Sequence, residues 1–301
     1  MVSSLHVFRQ GTMLATLGKT ALSAWQKNAR RPKAAKSPIT TPSAEVTRSF
    51  APLSPSLLDD YIKHVGGDPR AYRNSVPPHF FPHWAMPVAA TTLQGLPYPL
   101  LRVLNGGCRM QMNRPLPRGE ALVVRGCLAD IDEDERRAVL TQRVITGTAS
   151  APDALITEIY AIVPLGSGKE KGKAAKDKPR VPDDAHEIAS FHLAANAGLC
   201  FAKLTGDFNP IHWIPAYAKA SGFPNVILHG FGTLARAYEG LTRGLFGGDV
   251  NKLKALDVKF TRPLVLPHDV ALFVRRNEVF VGDAKGGPAY MTGRFETGER
   301  P

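Results

Sequence analysis

The sequence predicts a duplicated α+β fold, in which two related halves each wrap a central helix in a curved antiparallel sheet. Three observations carry that prediction. A Gly-Asp landmark followed by Arg-Pro-Leu occurs twice in the same order, with Asp68 and Arg114 46 residues apart and Asp207 and Arg262 55 apart. The later occurrence encloses one long amphipathic pattern, followed by strand-like text. Between the two lies a Gly/Lys/Ala stretch with no hydrophobic periodicity, which cannot bury a face. Repetition on the scale of a domain implies two copies of one fold packed as a pseudo-dimer.

The 301 residues divide accordingly into a basic arm (1–45), a first copy (46–165), a basic linker (166–183) and a second copy (184–301). Residues 1–44 hold seven Lys and Arg side chains and no acid, and include an Ala/Leu-rich piece over 12–25. This composition suits an organellar transit segment, a membrane-surface-seeking arm or a frayed tail. The linker text GSGKEKGKAAKDKPR adds six cations and two acids. It is no phosphate loop, because five residues separate Gly166 from Gly172 and Ala174 stands where a magnesium-binding hydroxyl is needed.

The formal net charge of +12 therefore sits almost wholly in these two segments, leaving the two copies close to neutral. A nucleic-acid reader would carry its basic face on the folded domains, interleaved with aromatics, so that class is set aside. Three scattered cysteines offer neither a disulfide framework nor a zinc ribbon. No apolar run is long enough for a spanning helix. The expectation is a protein of a reducing compartment.

Within the second copy, Ala194–Leu204 reads as a helix ending at Thr205-Gly206, and Pro215–Ser221 as a short helical piece. From His229-Gly230 the apolar residues Leu234, Ala237, Leu241 and Leu245 recur at helical intervals. LKALDVKF, VALFVRRNEVFVGDA and AYMTGRFE then alternate as strands. Asp207 and His212 flank Asn209-Pro210, where proline prevents regular helix. Such a loop can turn a carboxylate and a neutral imidazole toward one water molecule and move its proton. Gly230 opens the long helix, whose first N–H groups are unpaired and carry partial positive charge. His229 reads as a hydrogen-bonded structural histidine. His79 and His83 have helical spacing but enclose Pro82 and lack a metalloprotease glutamate, so they too read as structural.

The runs FAKLTGDFNPIH (201–212) and VILHGF (226–231) resemble the MaoC-like, (R)-specific enoyl-thioester hydratase/dehydratase family. The resemblance rests on Thr205, Gly206, Asp207, Asn209, Pro210, Ile211, His212, His229, Gly230 and Phe231, with FTRP at 260–263 also fitting. It implies a double hot-dog whose second copy is active and whose first is degenerate. The implied reaction is reversible syn hydration of a trans-2-enoyl thioester to the (3R)-3-hydroxyacyl thioester, by a lyase using no metal or redox cofactor. Asp207 and His212 would activate water, Asn209 and Pro210 would support the loop, and the Gly230 N–H would receive the thioester oxygen.

The implied substrate is an acyl-CoA or acyl-carrier-protein thioester. Trp213 and Tyr238 are candidate channel residues, and Lys259 and Arg262 either contact coenzyme A phosphates or form a solvated strand end. The family's polar residue two after the histidine is here Ile214, and Tyr238 stands where some relatives have serine. In the first copy Asp68 occupies the place of Asp207, but Arg73 replaces the histidine, so this copy is expected to be inert. Its run Pro77–Met86 reads as too proline-rich for a helix and as an apolar wall of the acyl pocket. The expected setting is cytoplasmic, or the mitochondrial matrix if residues 1–44 are a transit segment, with peripheral membrane contact and a homodimer as further expectations. A thioesterase and a non-catalytic acyl-thioester binder are the competing functions.

Overall fold

The computed structural model describes residues 2–9, 39–165 and 178–298. In the first half β1 (Val46–Phe50), α1 (Pro55–His64), β2 (Ser75–Val76) and α2 (Pro82–Thr92) come first. They are followed by β3 (Leu104–Met112), β4 (Leu116–Pro117), β5 (Leu122–Glu133), β6 (Arg137–Gly147) and β7 (Leu155–Pro164). The second half runs β8 (His186–Leu193), α3 (Ala197–Thr205), α4 (Pro215–Ala220) and α5 (Gly230–Gly244). It closes with β9 (Leu253–Phe260), β10 (His268–Arg275), β11 (Glu278–Gly282) and β12 (Ala289–Thr297).

Ten of these strands form one sheet, ordered β1-β5-β6-β7-β3-β9-β12-β11-β10-β8, while β2 and β4 pair separately. Read inward from its two ends, the sheet shows the same connectivity twice. The halves meet where β3 and β9 pair antiparallel, with Cys108 opposite Val258 and Arg109 opposite Asp257. Gly107 at this seam has φ +135, and a Cβ there would lie 2.0 Å from the Val258 carbonyl oxygen, so only glycine allows the strands to close.

One apolar core runs through both halves and includes Leu57, Tyr61, Phe80, Trp84, Met110, Phe201, Leu234, Leu241 and Val258. α5 is buried from Phe231 through Thr242, more than one apolar face would require, because its polar side chains reach into the first half. Glu239 accepts hydrogen bonds from the Tyr72 hydroxyl at 2.7 Å and from His79 Nε2 at 2.9 Å. Arg236 donates to the Gly232 carbonyl at 3.0 Å and to His64 Nε2 at 3.2 Å, and Arg243 donates to the Gly66 carbonyl at 2.8 Å. Arg236 also donates to the His64 carbonyl at 3.4 Å, so the last carbonyl of α1, which lacks a helical partner, is capped from the other half.

Three expectations are corrected here. The segment after Pro77 is not helix-free: Pro78–Phe80 forms a 3-10 turn and Pro82 opens α2. A proline in the first helical turn loses no bond it would otherwise make. Pro87 does remove one, but burial of Trp84, Ala85, Val88 and Ala89 holds the helix regardless. Lys178–Asp183 is no free linker end, since Val181 donates to the Gly287 carbonyl at 2.9 Å and packs, buried, with Ala185, Phe273 and Phe280. Residues 2–9 are no loose tail either. Ser4–Arg9 forms a 3-10 turn, Lys203 donates to Ser4 Oγ at 3.0 Å, and buried His6 meets Asp60 at 2.8 Å. The transit and membrane-arm readings fall mostly on 10–38, outside the described residues. Among the described residues no helix is long and apolar enough to cross a membrane.

Candidate active site

The loop after α3 is built by successive local bonds. Gly206 takes φ +87 and ends the helix, a conformation costly for any residue with a Cβ. Thr205 Oγ1 accepts from the Asp207 N–H at 3.4 Å and donates back to the Phe201 carbonyl at 2.9 Å. Asp207 Oδ1 accepts from the Asn209 N–H, and Asn209 Oδ1 from the Ile211 N–H, each at 3.3 Å. Asn209 thereby caps the 3-10 turn Pro210–His212 that delivers the imidazole.

His212 Nδ1 lies 2.8 Å from the Ile227 carbonyl oxygen and must donate to it, which leaves the Nε2 lone pair free on the neutral ring. His229 caps α5 and faces the Asp207 main-chain carbonyl through Nε2 at 2.9 Å. The two imidazoles stack, with centroids 3.6 Å apart and planes 26° apart. One carboxylate oxygen of Asp207 and one nitrogen of each histidine lie within 4.8 Å of one another. A water molecule sits about 2.8 Å from each partner, so groups this close can share one.

Electrostatics separate the two histidines. Burial pushes His212 below its ordinary value, against the attraction of Asp207. Burial and then the neighbouring His212 push His229 down to about 3. Both are neutral near pH 7. The Asp207 side chain retains 28% of its accessible surface while that of His229 retains 2%, so the carboxylate can be reached from solvent and His229 cannot.

An Asp and two His match the ligand chemistry of zinc, yet this arrangement does not fit a metal. Stacking holds the two rings, and so their in-plane lone pairs, in nearly parallel planes about 3.6 Å apart, and one ion cannot lie in both planes. His212 Nδ1 and His229 Nε2 are, moreover, already committed to carbonyl oxygens.

At the start of α5, Gly232 and Thr233 donate to the His229 carbonyl at 2.9 and 3.1 Å, while the Gly230 N–H has no partner among the described residues. The Phe260 ring covers this glycine, and a Cβ at Gly230 would lie 2.5 Å from it. Close packing with β9, not approach of a ligand, is the first reason for glycine here.

The weaker candidates fare differently. Trp213 lies beside the site, 36% exposed, with its indole N–H donating to the Phe208 carbonyl at 3.1 Å. Tyr238 is instead fully buried; it packs against His79 and donates to the Val250 carbonyl at 3.3 Å, because that face of α5 looks into the first half. Lys259 alternates with Phe260 along β9 and so stands on the sheet's opposite face. Arg262 donates to the Lys178 and Pro179 carbonyls at 3.1 and 3.3 Å. Neither cation is presented to the loop. The sequence reading missed Gly198, where a Cβ would lie 2.0 Å from the His212 carbonyl oxygen. A glycine inside a helical pattern was the available signal.

Two half-sheets, each cradling a helix and joined edge to edge, define a double hot-dog protein. Residues 179–287 match the family model described as a MaoC like domain. Over 241 residues, 79% of this chain and 82% of the other, the sequence is 26% identical to 3-hydroxyacyl-thioester dehydratase X of Mycobacterium tuberculosis. It is 30% identical over 173 residues to enoyl-CoA hydratase ChsH3 of the same organism, covering 55% of this chain and 58% of that one. The chain spans 23% of the mouse peroxisomal multifunctional enzyme type 2, to which it is 29% identical over 179 residues. Among solved structures, HtdX of M. tuberculosis superposes with a TM-score of 0.65 at 20% identity, over 84% of this chain and all of that one. A second mycobacterial protein, described as a double hot-dog, gives 0.55 at 14% identity, over 86% and 96%. What these matches show is a MaoC like domain over residues 179–287 within a chain that has the double hot-dog fold.

Proposed function

We propose that this protein interconverts trans-2-enoyl and (3R)-3-hydroxyacyl thioesters by adding and removing water. The observation that carries the reading is the convergence of the Asp207 carboxylate and the His212 imidazole at a solvent-reachable point. In hydration, Asp207 and His212 hold one water; its proton passes to this pair as the oxygen attacks the β-carbon. Negative charge then grows on the thioester oxygen, and the open Gly230 N–H at the positive end of α5 is suited to receive it. Protonation of the α-carbon from the same side completes a syn addition. Dehydration is the reverse. The steps need no cofactor, and a coenzyme A or carrier-protein thioester suits them equally.

Purified protein is expected to bleach the conjugated enoyl-thioester absorbance, and Asp207→Asn to lower kcat/KM by about a thousandfold with an unchanged melting profile. Release of free thiol would replace this reading with a thioesterase. Saturable acyl-thioester binding without turnover would leave a non-catalytic binder, and an S-configured product would refute the geometry.

A further inference from the structure

His229 is the most buried member of the cluster and the one that substrate cannot reach. Its contacts nevertheless go to both halves of the acid–base pair. Nε2–H donates to the Asp207 carbonyl at 2.9 Å, and one face of the ring lies on His212 at 3.6 Å. The Phe201 ring lies 4.9 Å away, and the backbone of His229 is fixed as the cap of α5. Nδ1 is buried with no hydrogen-bond partner among the described residues. A proton there would be a buried donor without an acceptor, so the ring is confined to one neutral tautomer.

We propose that His229 is the positioning residue of this site, stacking on His212 to set its plane and its shelter from water while anchoring the main chain of Asp207. The proposal rests on the hydration reading for what the pair does. A neutral ring at stacking distance excludes water from one side of His212 and still offers a π face to the imidazolium formed in turnover. The other titratable or charged groups around the two rings are Asp207 on the loop, Arg236 on α5 and His64 on α1. Asp207 favours a protonated imidazole at both rings. Burial opposes it at both, and Arg236 opposes it at His229.

Two variants separate the two contacts. His229→Phe keeps a ring over His212 but has no donor for the Asp207 carbonyl. It is expected to lower kcat about tenfold, with the acid limb of kcat/KM staying at its wild-type place below the ordinary histidine value of 6.5. His229→Gln keeps an N–H within reach of that carbonyl but uncovers His212. Its acid limb should move up toward 6.5, because the neutral base is lost at higher pH once burial no longer opposes protonation. The His212 titration, followed by imidazole 15N NMR in wild type and His229→Gln, gives the same answer without turnover.

An upward shift in that titration, with the His229→Phe limb unmoved, supports the proposal. Identical His212 titrations in wild type and His229→Gln overturn it, as does activity in both variants that merely tracks the folded fraction. Absence of wild-type turnover would remove the hydration reading, and the NMR titration would still decide whether His229 governs His212.

Discussion

At the start of the central helix the two halves share a backbone frame. The Asn74 carbonyl accepts from the Arg118 N–H at 3.1 Å, and the Val226 carbonyl accepts from the Leu266 N–H at 2.9 Å. Ser75 pairs with Pro117 as Ile227 pairs with Val265. Counted from these bonds, Pro77 stands at the place of His229 and Pro78 at the place of Gly230. Proline has no N–H, so the first half cannot offer a donor where the second offers one. Its aspartate is also occupied, with Asp68 accepting from the Arg70 side chain at 2.9 to 3.1 Å on the surface. Between Asp68 and Val76 there are too few residues for the turn and α4 that carry and follow His212 in the second half. One frame therefore carries a candidate site in one half and none in the other, and the difference lies in a loop and in two residues at the start of a helical turn.

Exchanging one aspartate at a time is the strongest way to break this comparison. Asp207→Asn is expected to cost about a thousandfold in kcat/KM, while Asp68→Asn leaves it unchanged. The enoyl-thioester absorbance assay reads both. Comparable losses in the two variants would mean that the first half shares the chemistry.

Next in size is the exchange of polar groups between the halves. Glu239 on α5 is buried and accepts from Tyr72 and His79 of the first half. Glu239→Ala would strand both donors in the core, each at about 1 to 3 kcal/mol. A total loss of about 3 kcal/mol in urea unfolding is expected, with Glu239→Gln losing less because an acceptor remains. Equal losses would show that the carboxylate itself, not packing or a neutral acceptor, holds the two donors.

The helix start can be tested by giving the second half the residue of the first. Any side chain at Gly230 strikes Phe260, so the comparison belongs in a Phe260→Ala background. There Gly230→Ala keeps the N–H and Gly230→Pro removes it. The proline variant is expected to be about a hundredfold slower than the alanine variant in kcat, the size seen when one oxyanion donor is lost. Equal rates would place the oxyanion donor elsewhere.

How far the sequence revealed these features depended on whether the signal was local. Gly206 needs a left-handed φ, and Asn209 before Pro210 makes a short capped turn, so the loop around Asp207 was readable residue by residue. The long helix and the strands after it followed from 3.6- and 2-residue periods. Orientation within the assembled halves had no such signal. Tyr238 and Lys259 occupy correctly placed elements but face away from the site, since facing is set by how α5 and β9 pack against the first half. Pro82 misled because a proline that breaks a helix interior is harmless in a first turn. The stacking of His212 on His229 joins residues that only the fold brings together.

The smallest and broadest difference concerns acid. Burial holds His64 and His229 down to about 3 and His83 to about 4, one in the second half and two in the first. Unfolded, each would take up a proton near 6.5. Above that pH neither state is protonated, and the groups leave stability unaffected. As pH falls from about 6.5 toward 4, the unfolded chain binds protons that the folded one refuses, and stability declines. Each histidine contributes a slope of up to about 1.4 kcal/mol per pH unit in that window. Urea unfolding from pH 7 to 4.5 should show the decline, and His83→Gln should lessen it by about one proton's worth. Because the halves share one core, the loss should appear as a single transition, and a first half that melts separately at pH 5 would show the seam to be weaker than its shared core implies.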